Sequence, residues 1–112
     1  MDNTITVSGN LTRDPELRFT TGGRGVASMG VAVNRSWKNK STDEWEEETS
    51  FLDVTAWGDL GENAAASLSK GARIMVTGRL SQRSYETREG EKRTVYEIIA
   101  DDIGPSVKRA TV

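Results

Sequence analysis

Only one segment of this chain has the periodicity of a helix, and strand-like alternation surrounds it on both sides. Leu60, Ala64 and Leu68 recur there at helical spacing. Asp59 can cap the amino end of this helix, and Gly71 can end it with a positive φ. The helix is therefore predicted over residues 59–70. A single helix in a strand-rich chain argues against the parallel sheet of an α/β protein, which needs repeated alternation of strands and helices.

Five segments are predicted as strands because apolar and polar residues alternate in them between turn residues. They are residues 5–8, 26–35, 50–57, 72–83 and 94–103. The polar stretch 36–49 is predicted to be a long hairpin loop, and Gly30 to mark a bulge or a sharp bend. Five antiparallel strands with one helix between the third and the fourth are the layout of an OB barrel. We therefore expect one all-β domain, a five-stranded OB-fold barrel, over residues 1–112.

The composition excludes several kinds of site. The chain has no cysteine and no histidine, so thiolate and imidazole metal ligands and Cys or His catalysis are not available. No apolar run approaches the ~20 residues that cross a bilayer. The amino-terminal residues lack the cationic and apolar segments of a signal peptide. We expect a cytoplasmic protein without cofactor or metal and without membrane contact.

The charges are unevenly distributed along the chain. Five acids fall in one short stretch, Asp43, Glu44, Glu46, Glu47 and Glu48. Without them the net charge of −2 would become +3. The basic residues form two other clusters, Arg35, Lys38 and Lys40, and then Arg79, Arg83, Arg88, Lys92 and Arg93. Such clusters also fit an ordinary solvated surface, so charge alone does not indicate a nucleic-acid partner.

Phe51 and Trp57 occupy unusual positions in their predicted strand. Leu52, Val54 and Ala56 supply the core face, so alternation sends both rings to the opposite face. Rings on this second face could pack under a loop, under the helix or against another subunit. They could also form a surface on which nucleic-acid bases stack.

Two more aromatic residues lie beside cations in the predicted hairpins. Trp37 lies between Arg35 and Lys38, and Tyr85 follows Arg83. The two hairpins could form the rims of a groove whose floor carries the aromatic rings of the central strand. Each base stacked on an aromatic ring contributes ~1–3 kcal/mol, so a few stacks let even a slightly acidic protein bind a single strand.

The other aromatic residues have different expected roles. Phe19 follows Leu17 and is predicted to lie in the core. Trp45 lies among five acids that would repel phosphate, which favours a hairpin-tip or protein-contact role. Tyr96 alternates with core residues and could belong to an interface.

Several short motifs resemble the bacterial single-stranded DNA-binding protein family over nearly the whole chain. They are Val7-Ser8-Gly9-Asn10-Leu11, Asp14-Pro15-Glu16-Leu17-Arg18, Val31-Ala32-Val33-Asn34-Arg35-Ser36-Trp37, Ala56-Trp57-Gly58-Asp59-Leu60, Lys70-Gly71 and Val76-Thr77-Gly78-Arg79-Leu80. Each motif is weak alone, and their order and spacing make the resemblance strong. Residues 82–93 and 103–106 are most similar to actinobacterial members.

The resemblance implies an OB fold, a homotetramer, little sequence preference and no catalysis. It implies binding and protection of single-stranded DNA during replication, recombination and repair, at the nucleoid. The stacking positions of the family fall at Trp37, Phe51, Trp57 and Tyr85. The cations expected to contact phosphate are Arg35, Lys38, Lys70, Arg73, Arg79, Arg83 and Arg93.

This sequence departs from the family pattern in two respects. Family members usually continue into a long tail, rich in Gly, Pro and Gln, whose acidic tip recruits replication and repair proteins. The present sequence ends at Thr111-Val112, so we do not expect tail-mediated contacts from it. Asp53 and Asp59 also place acids near the expected DNA surface, which predicts lower affinity or stronger dependence on salt.

Three alternatives stay open from the sequence. The chain could be an interaction or scaffold barrel whose surface aromatics contact other subunits. It could bind RNA, because no residue pattern here distinguishes a 2′-hydroxyl. Asp101-Asp102 and the glutamates at 46–48 could serve Mg²⁺ or acid–base chemistry, but neighbouring strand residues point to opposite faces. Catalysis is the least favoured of the three.

Overall fold

The computed structural model describes residues 4–108 of the 112-residue chain, apart from the side chains of Arg35, Ser36 and Arg83. Six strands and one helix follow each other along this part of the chain. They are β1 (Thr4–Leu11), β2 (Glu16–Phe19), β3 (Gly25–Lys38), β4 (Trp45–Trp57), α1 (Asp59–Ser67), β5 (Arg73–Glu86) and β6 (Lys92–Pro105). The helix lies between β4 and β5, as predicted.

Five of the strands close into a ring. The sheet runs β1-β5-β6-β4-β3, and a further pairing of β1 with β3 joins its two ends. This closed ring with one helix is the predicted OB barrel. The prediction that all strands are antiparallel was wrong, because β4 and β6 pair in parallel. A closed ring with an odd number of strands cannot alternate in direction all the way round, so one parallel pair is required.

Two hairpins extend well past the predicted strand ends. β3 and β4 stay paired out to Lys38 and Trp45, so most of the predicted loop 36–49 is strand. β5 and β6 likewise stay paired out to Glu86 and Lys92. Within the described residues no other element packs over these two-stranded ends, so their residues lack the apolar alternation that marks a half-buried strand. The short β2, which was not predicted, pairs only with β3.

The barrel core consists of the inward-facing residues of the strands and one residue of the helix. They are Leu11, Ala27, Met29, Val31, Val54, Ala56, Ala64, Ile74, Val76, Ile98 and Ala100. Val54 and Ala56 confirm the predicted inward face of β4, which Leu52 joins as a partly buried neighbour. Leu80 has the same alternation as the buried Ile74 and Val76 of β5, but its side chain is exposed.

The prediction that Phe19 belongs to the core was wrong, since its side chain is 59% exposed. Phe19 is the last residue of the edge strand β2 and pairs with Gly25. Gly25 has no side chain to pack against, and the side chain of Glu62 from α1 lies close to it. The ring therefore projects past the margin of the core.

The helix begins one residue earlier than a cap by Asp59 would require. Gly58 is the N-cap with a φ of 67°, and no side chain caps the helix, so the predicted capping role of Asp59 was wrong. Asp59 instead lies in the first turn, where its charge is favourable to the helix dipole. The helix ends at Ser67, short of the predicted residue 70. Gly71 has the predicted positive φ, 90°, but in the turn that follows the helix.

The described strands show a register shift, but it lies away from Gly30. β3 and β4 pair without interruption through Gly30 and Asp53, so the predicted bulge at Gly30 was wrong. The shift lies between Thr77 and Gly78 of β5, where Asp101 of β6 is left without a register partner. Glycine is required at position 30 for a different reason. The side chains of Thr12 and Arg13 lie over its Cα and leave no room for a further side chain.

Candidate nucleic-acid interface

Phe51 and Trp57 lie on the side of β4 that faces away from the core. Their side chains are 74% and 37% exposed, whereas Val54 and Ala56 between them are fully buried. Alternation along the strand therefore places both rings outside the barrel, as predicted. They are six residues apart, which corresponds to about 20 Å along an extended strand. Two bases of a single-stranded DNA can therefore stack at two separate points along β4.

Trp57 is partly covered by a cation that the sequence did not indicate. The Arg24 guanidinium carbon lies 4.9 Å from the centroid of the Trp57 ring, within cation–π range. Arg24 belongs to the glycine-rich turn before β3, and the Gly58 N–H holds this turn by donating to the Gly25 carbonyl oxygen. A base that stacks on Trp57 must use the other face of the ring or displace Arg24.

Tyr85 shares the same side of the sheet. It pairs with Arg93 across the β5–β6 hairpin and is 52% exposed. Glu97, four residues after Arg93 on β6, pairs with Asp53 of β4. Since residues an even number apart on a regular strand point the same way, Tyr85 and Arg93 face the side that carries Phe51. We call this side of β3, β4, β6 and β5 the outer face.

Trp37 does not join the outer face. Its strand β3 buries Ala27, Met29 and Val31, and Trp37 has the same alternation as these residues. Its register partner is Glu46, and its side chain is 38% exposed. Trp37 therefore lies on the opposite side of the β3–β4 hairpin from Phe51. Single-stranded DNA that contacts all four predicted aromatic residues has to pass around this hairpin.

The predicted phosphate contacts differ in their surroundings. Arg79 is exposed on β5 in the same alternation as Tyr85. Lys38 forms an exposed ion pair of 2.9 Å with Asp43, and Arg93 forms one of 3.1 Å with Glu91. Exposed pairs of this kind are worth about 0–1 kcal/mol, so a phosphate can replace the carboxylate at low cost. The side chains of two further predicted cations, Arg35 and Arg83, lie outside the described residues.

The structure separates Lys70 and Arg73 from the aromatic residues of the outer face. Arg73 begins β5, about 40 Å along the strand from Tyr85. Its guanidinium is partly buried and donates a 3.3 Å hydrogen bond to the Asn10 side chain. Lys70 lies in the turn after the helix, and its backbone N–H donates to Asp14. At these positions both residues support the β1–β5 end of the barrel.

Acidic side chains also lie on the outer face. Asp53 follows Phe51 by two residues and pairs with Glu97 on β6. Carboxylates at directly paired positions repel each other and repel phosphate. Among residues 4–108, no group of three or more Asp, Glu, His or Cys side chains is placed to hold a metal ion. No helix in the described part of the chain is long and apolar enough to cross a membrane.

Comparisons with known proteins agree with this architecture. The model of the single-strand binding protein family matches residues 2–106. The single-stranded DNA-binding protein of Corynebacterium glutamicum is 55% identical over 107 residues, which are 95% of this chain and 48% of that protein. The protein of the same name from Mycobacterium bovis is 54% identical over 98% of this chain and 68% of its own length. These relatives confirm the predicted resemblance to actinobacterial members.

A solved structure is also similar over nearly the whole fold. The small single-stranded DNA-binding protein from Streptomyces coelicolor superposes with a TM-score of 0.83 at 31% identity. The match covers 97% of this chain and 98% of that one. Together with the matched family model and the OB barrel, these similarities establish that the chain belongs to the single-strand binding protein family.

Proposed function

We propose that this protein binds single-stranded DNA on its outer face, with little preference for sequence. The observation that carries the proposal is the exposure of Phe51, Trp57 and Tyr85 on one continuous sheet surface next to cations. Single strands are held by stacking of bases on such rings and by cations that follow the backbone. The names of the relatives support DNA rather than RNA as the ligand.

Tryptophan fluorescence is expected to report this binding directly. Titration with oligo-dT should quench the emission strongly, while duplex DNA of the same length should have little effect, because its bases are already stacked. The affinity should fall as the salt concentration rises, since phosphate contacts release counterions. A Trp57→Phe variant keeps a stacking ring, so it should bind with similar affinity and lose part of the quenching. Equal responses to single-stranded and duplex DNA would contradict the proposal.

We propose further that the chain assembles into a homotetramer. Met75, Leu80 and Tyr96 leave large apolar side chains exposed on β5 and β6. Met75 also lines a shallow apolar depression, together with Thr6, Val76, Thr77, Asp102, Ile103 and Gly104. Light scattering should give the mass of four chains, and the mass of one chain would contradict the assembly. Loss of assembly in Trp57→Ala or Tyr85→Ala with intact DNA binding would instead favour the scaffold alternative.

The proposed cellular role is protection of single-stranded DNA in replication, recombination and repair, at the nucleoid. Binding by stacking and charge requires no bond to be made or broken, so we propose that the protein is not an enzyme. Asp101 and Asp102, the pair considered for catalysis, are both exposed. A side-chain oxygen of Asp102 already accepts a 2.9 Å hydrogen bond from the Ile103 N–H. This acceptor holds the local backbone next to the register shift.

A further inference from the structure

Arg13 lies on the outer face although it belongs to the turn after β1. The Thr12 N–H donates a 2.9 Å hydrogen bond to the Gly30 carbonyl oxygen, which fixes this turn against β3. The Arg13 guanidinium then reaches Ser28, to whose hydroxyl it donates at 3.4 Å. Ser28 and Gly30 alternate with the buried Ala27, Met29 and Val31, so they face outward. Arg13 belongs to no basic cluster of the sequence, and its position depends on how the turn after β1 crosses the neighbouring strand β3.

Gly30 provides the space that Arg13 occupies. A Cβ atom at Gly30 would lie 2.5 Å from Arg13 Nη1 and 3.5 Å from Arg13 Cζ. Gly30 is buried although it faces away from the core, because the side chains of Thr12 and Arg13 cover it. The guanidinium therefore lies directly against the backbone of β3, where any other residue would push it away.

The register of the sheet places this guanidinium between the two stacking rings of β4. Gly30 pairs with Asp53, Ala32 pairs with Phe51, and Val26 pairs with Trp57. Arg13 therefore lies next to the stretch of β4 that separates Phe51 from Trp57. Single-stranded DNA that stacks on both rings has to pass its sugar–phosphate backbone along residues 52–56 of β4. The only charged residue in that stretch is Asp53, which repels phosphate.

The described part of the structure gives the charge of Arg13 no acidic partner. Within the described residues no carboxylate lies within ion-pair distance of its guanidinium, whereas Arg18 on the same face is held by Glu16. A guanidinium has five N–H donors, and the contact with Ser28 uses one of them. The remaining donors suit the oxygens of a phosphate, which arginine binds with two parallel hydrogen bonds.

We propose that Arg13, packed against Gly30, binds a backbone phosphate of single-stranded DNA, between the nucleotides that stack on Phe51 and on Trp57. This inference rests on the proposed single-stranded DNA binding. One phosphate contact on a single strand contributes about 0.7 to the slope of log affinity against log salt. Loss of this contact therefore weakens binding about fivefold more at 0.1 M salt than at 1 M salt.

The test compares oligo-dT affinities of charge-removing variants over a range of salt concentrations. Arg13→Gln should lower the salt slope by about 0.7 and weaken binding about fivefold at 0.1 M salt. Gly30→Ala should reproduce this loss because its methyl group displaces the guanidinium, and the double variant should lose no more than either single variant. Lys108→Gln is the control that removes one positive charge away from the outer face, because Lys108 follows the end of β6, where the Ser106 N–H donates to the Arg73 carbonyl oxygen. Its slope should stay close to that of the unmodified protein.

The outcomes separate this inference from the function on which it rests. If the unmodified protein does not bind oligo-dT, the proposed function fails. If it binds and Arg13→Gln leaves both slope and affinity unchanged, the role of Arg13 alone is overturned. Should Gly30→Ala not fold, the comparison of Arg13→Gln with Lys108→Gln still decides, because both side chains are exposed and neither supports the core. Equal losses in these two variants would also overturn the inference, since they would indicate a general effect of charge.

Discussion

Phe51→Ala is expected to weaken binding of oligo-dT by about fivefold to 150-fold, since one base stack is worth ~1–3 kcal/mol. The ring is 74% exposed, so its removal takes little packing from the barrel. The melting temperature should therefore remain close to that of the unmodified protein. The salt slope should also remain, because the ring contacts no phosphate. Fluorescence titration at several salt concentrations, together with thermal unfolding, measures all three quantities.

Phe19→Ala is the matched control for this variant. It removes the same ring from a comparably exposed position, 59%, on the edge strand β2. Phe19 has the alternation of Leu17, which packs towards the core, so it does not share the outer face. We expect unchanged DNA affinity. An equal loss of affinity in both variants would mean that exposed aromatic area, and not the outer face, determines binding.

The outer face was predictable because strand alternation is a local property. Val54 and Ala56 fix the inward side of β4 from sequence alone, and Phe51 and Trp57 must then point outward. The barrel was predictable for a similar reason, since one helix among alternating strands leaves few closed arrangements. The parallel pairing of β4 with β6 follows from closing an odd ring and needs no special residue.

The sequence placed Trp37 on a hairpin rim from the cations beside it, without deciding which side of the hairpin its ring faces. A bulge at Gly30 would have shifted the alternation of β3 by one residue and turned Trp37 to the outer face. The register is continuous through Gly30, so Trp37 keeps the alternation of Val31. A strand glycine indicates either a bulge or a close approach of other atoms. Only the structure distinguishes these, because the approaching Arg13 comes from another part of the sheet.

Arg13 and Arg24 were missed for the same physical reason. Neither lies in a basic cluster, and both belong to turns whose path is set by long-range hydrogen bonds, Thr12 to Gly30 and Gly58 to Gly25. Conversely, Lys70 and Arg73 were included as cations although the fold places them at the far end of β5. Charge along a sequence identifies candidate residues, while strand order decides which of them share a surface.

The ring of strands that carries the outer face closes at Gly9, and Gly9→Ala is expected to destabilise the protein strongly. β1 pairs with β3 only at Asn10 and Leu11, next to this glycine. A Cβ atom at Gly9 would press on the carbonyl oxygen of Ala32 and lie 2.7 Å from Val31 Cγ1. Forcing extra volume into such a contact costs about 1–3 kcal/mol, and more where backbone has to move. Urea unfolding at fixed protein concentration should show a lower midpoint with an unchanged m-value.

Gly22→Ala separates this closure effect from the general consequences of replacing a glycine. Gly22 has an ordinary φ, and the only described heavy atom within 4 Å of its Cβ position is the Thr20 hydroxyl, at 4.0 Å. Its midpoint should stay the same or rise slightly, because alanine restricts the unfolded chain. Equal midpoints for the two variants would contradict a tight closure of β1 on β3.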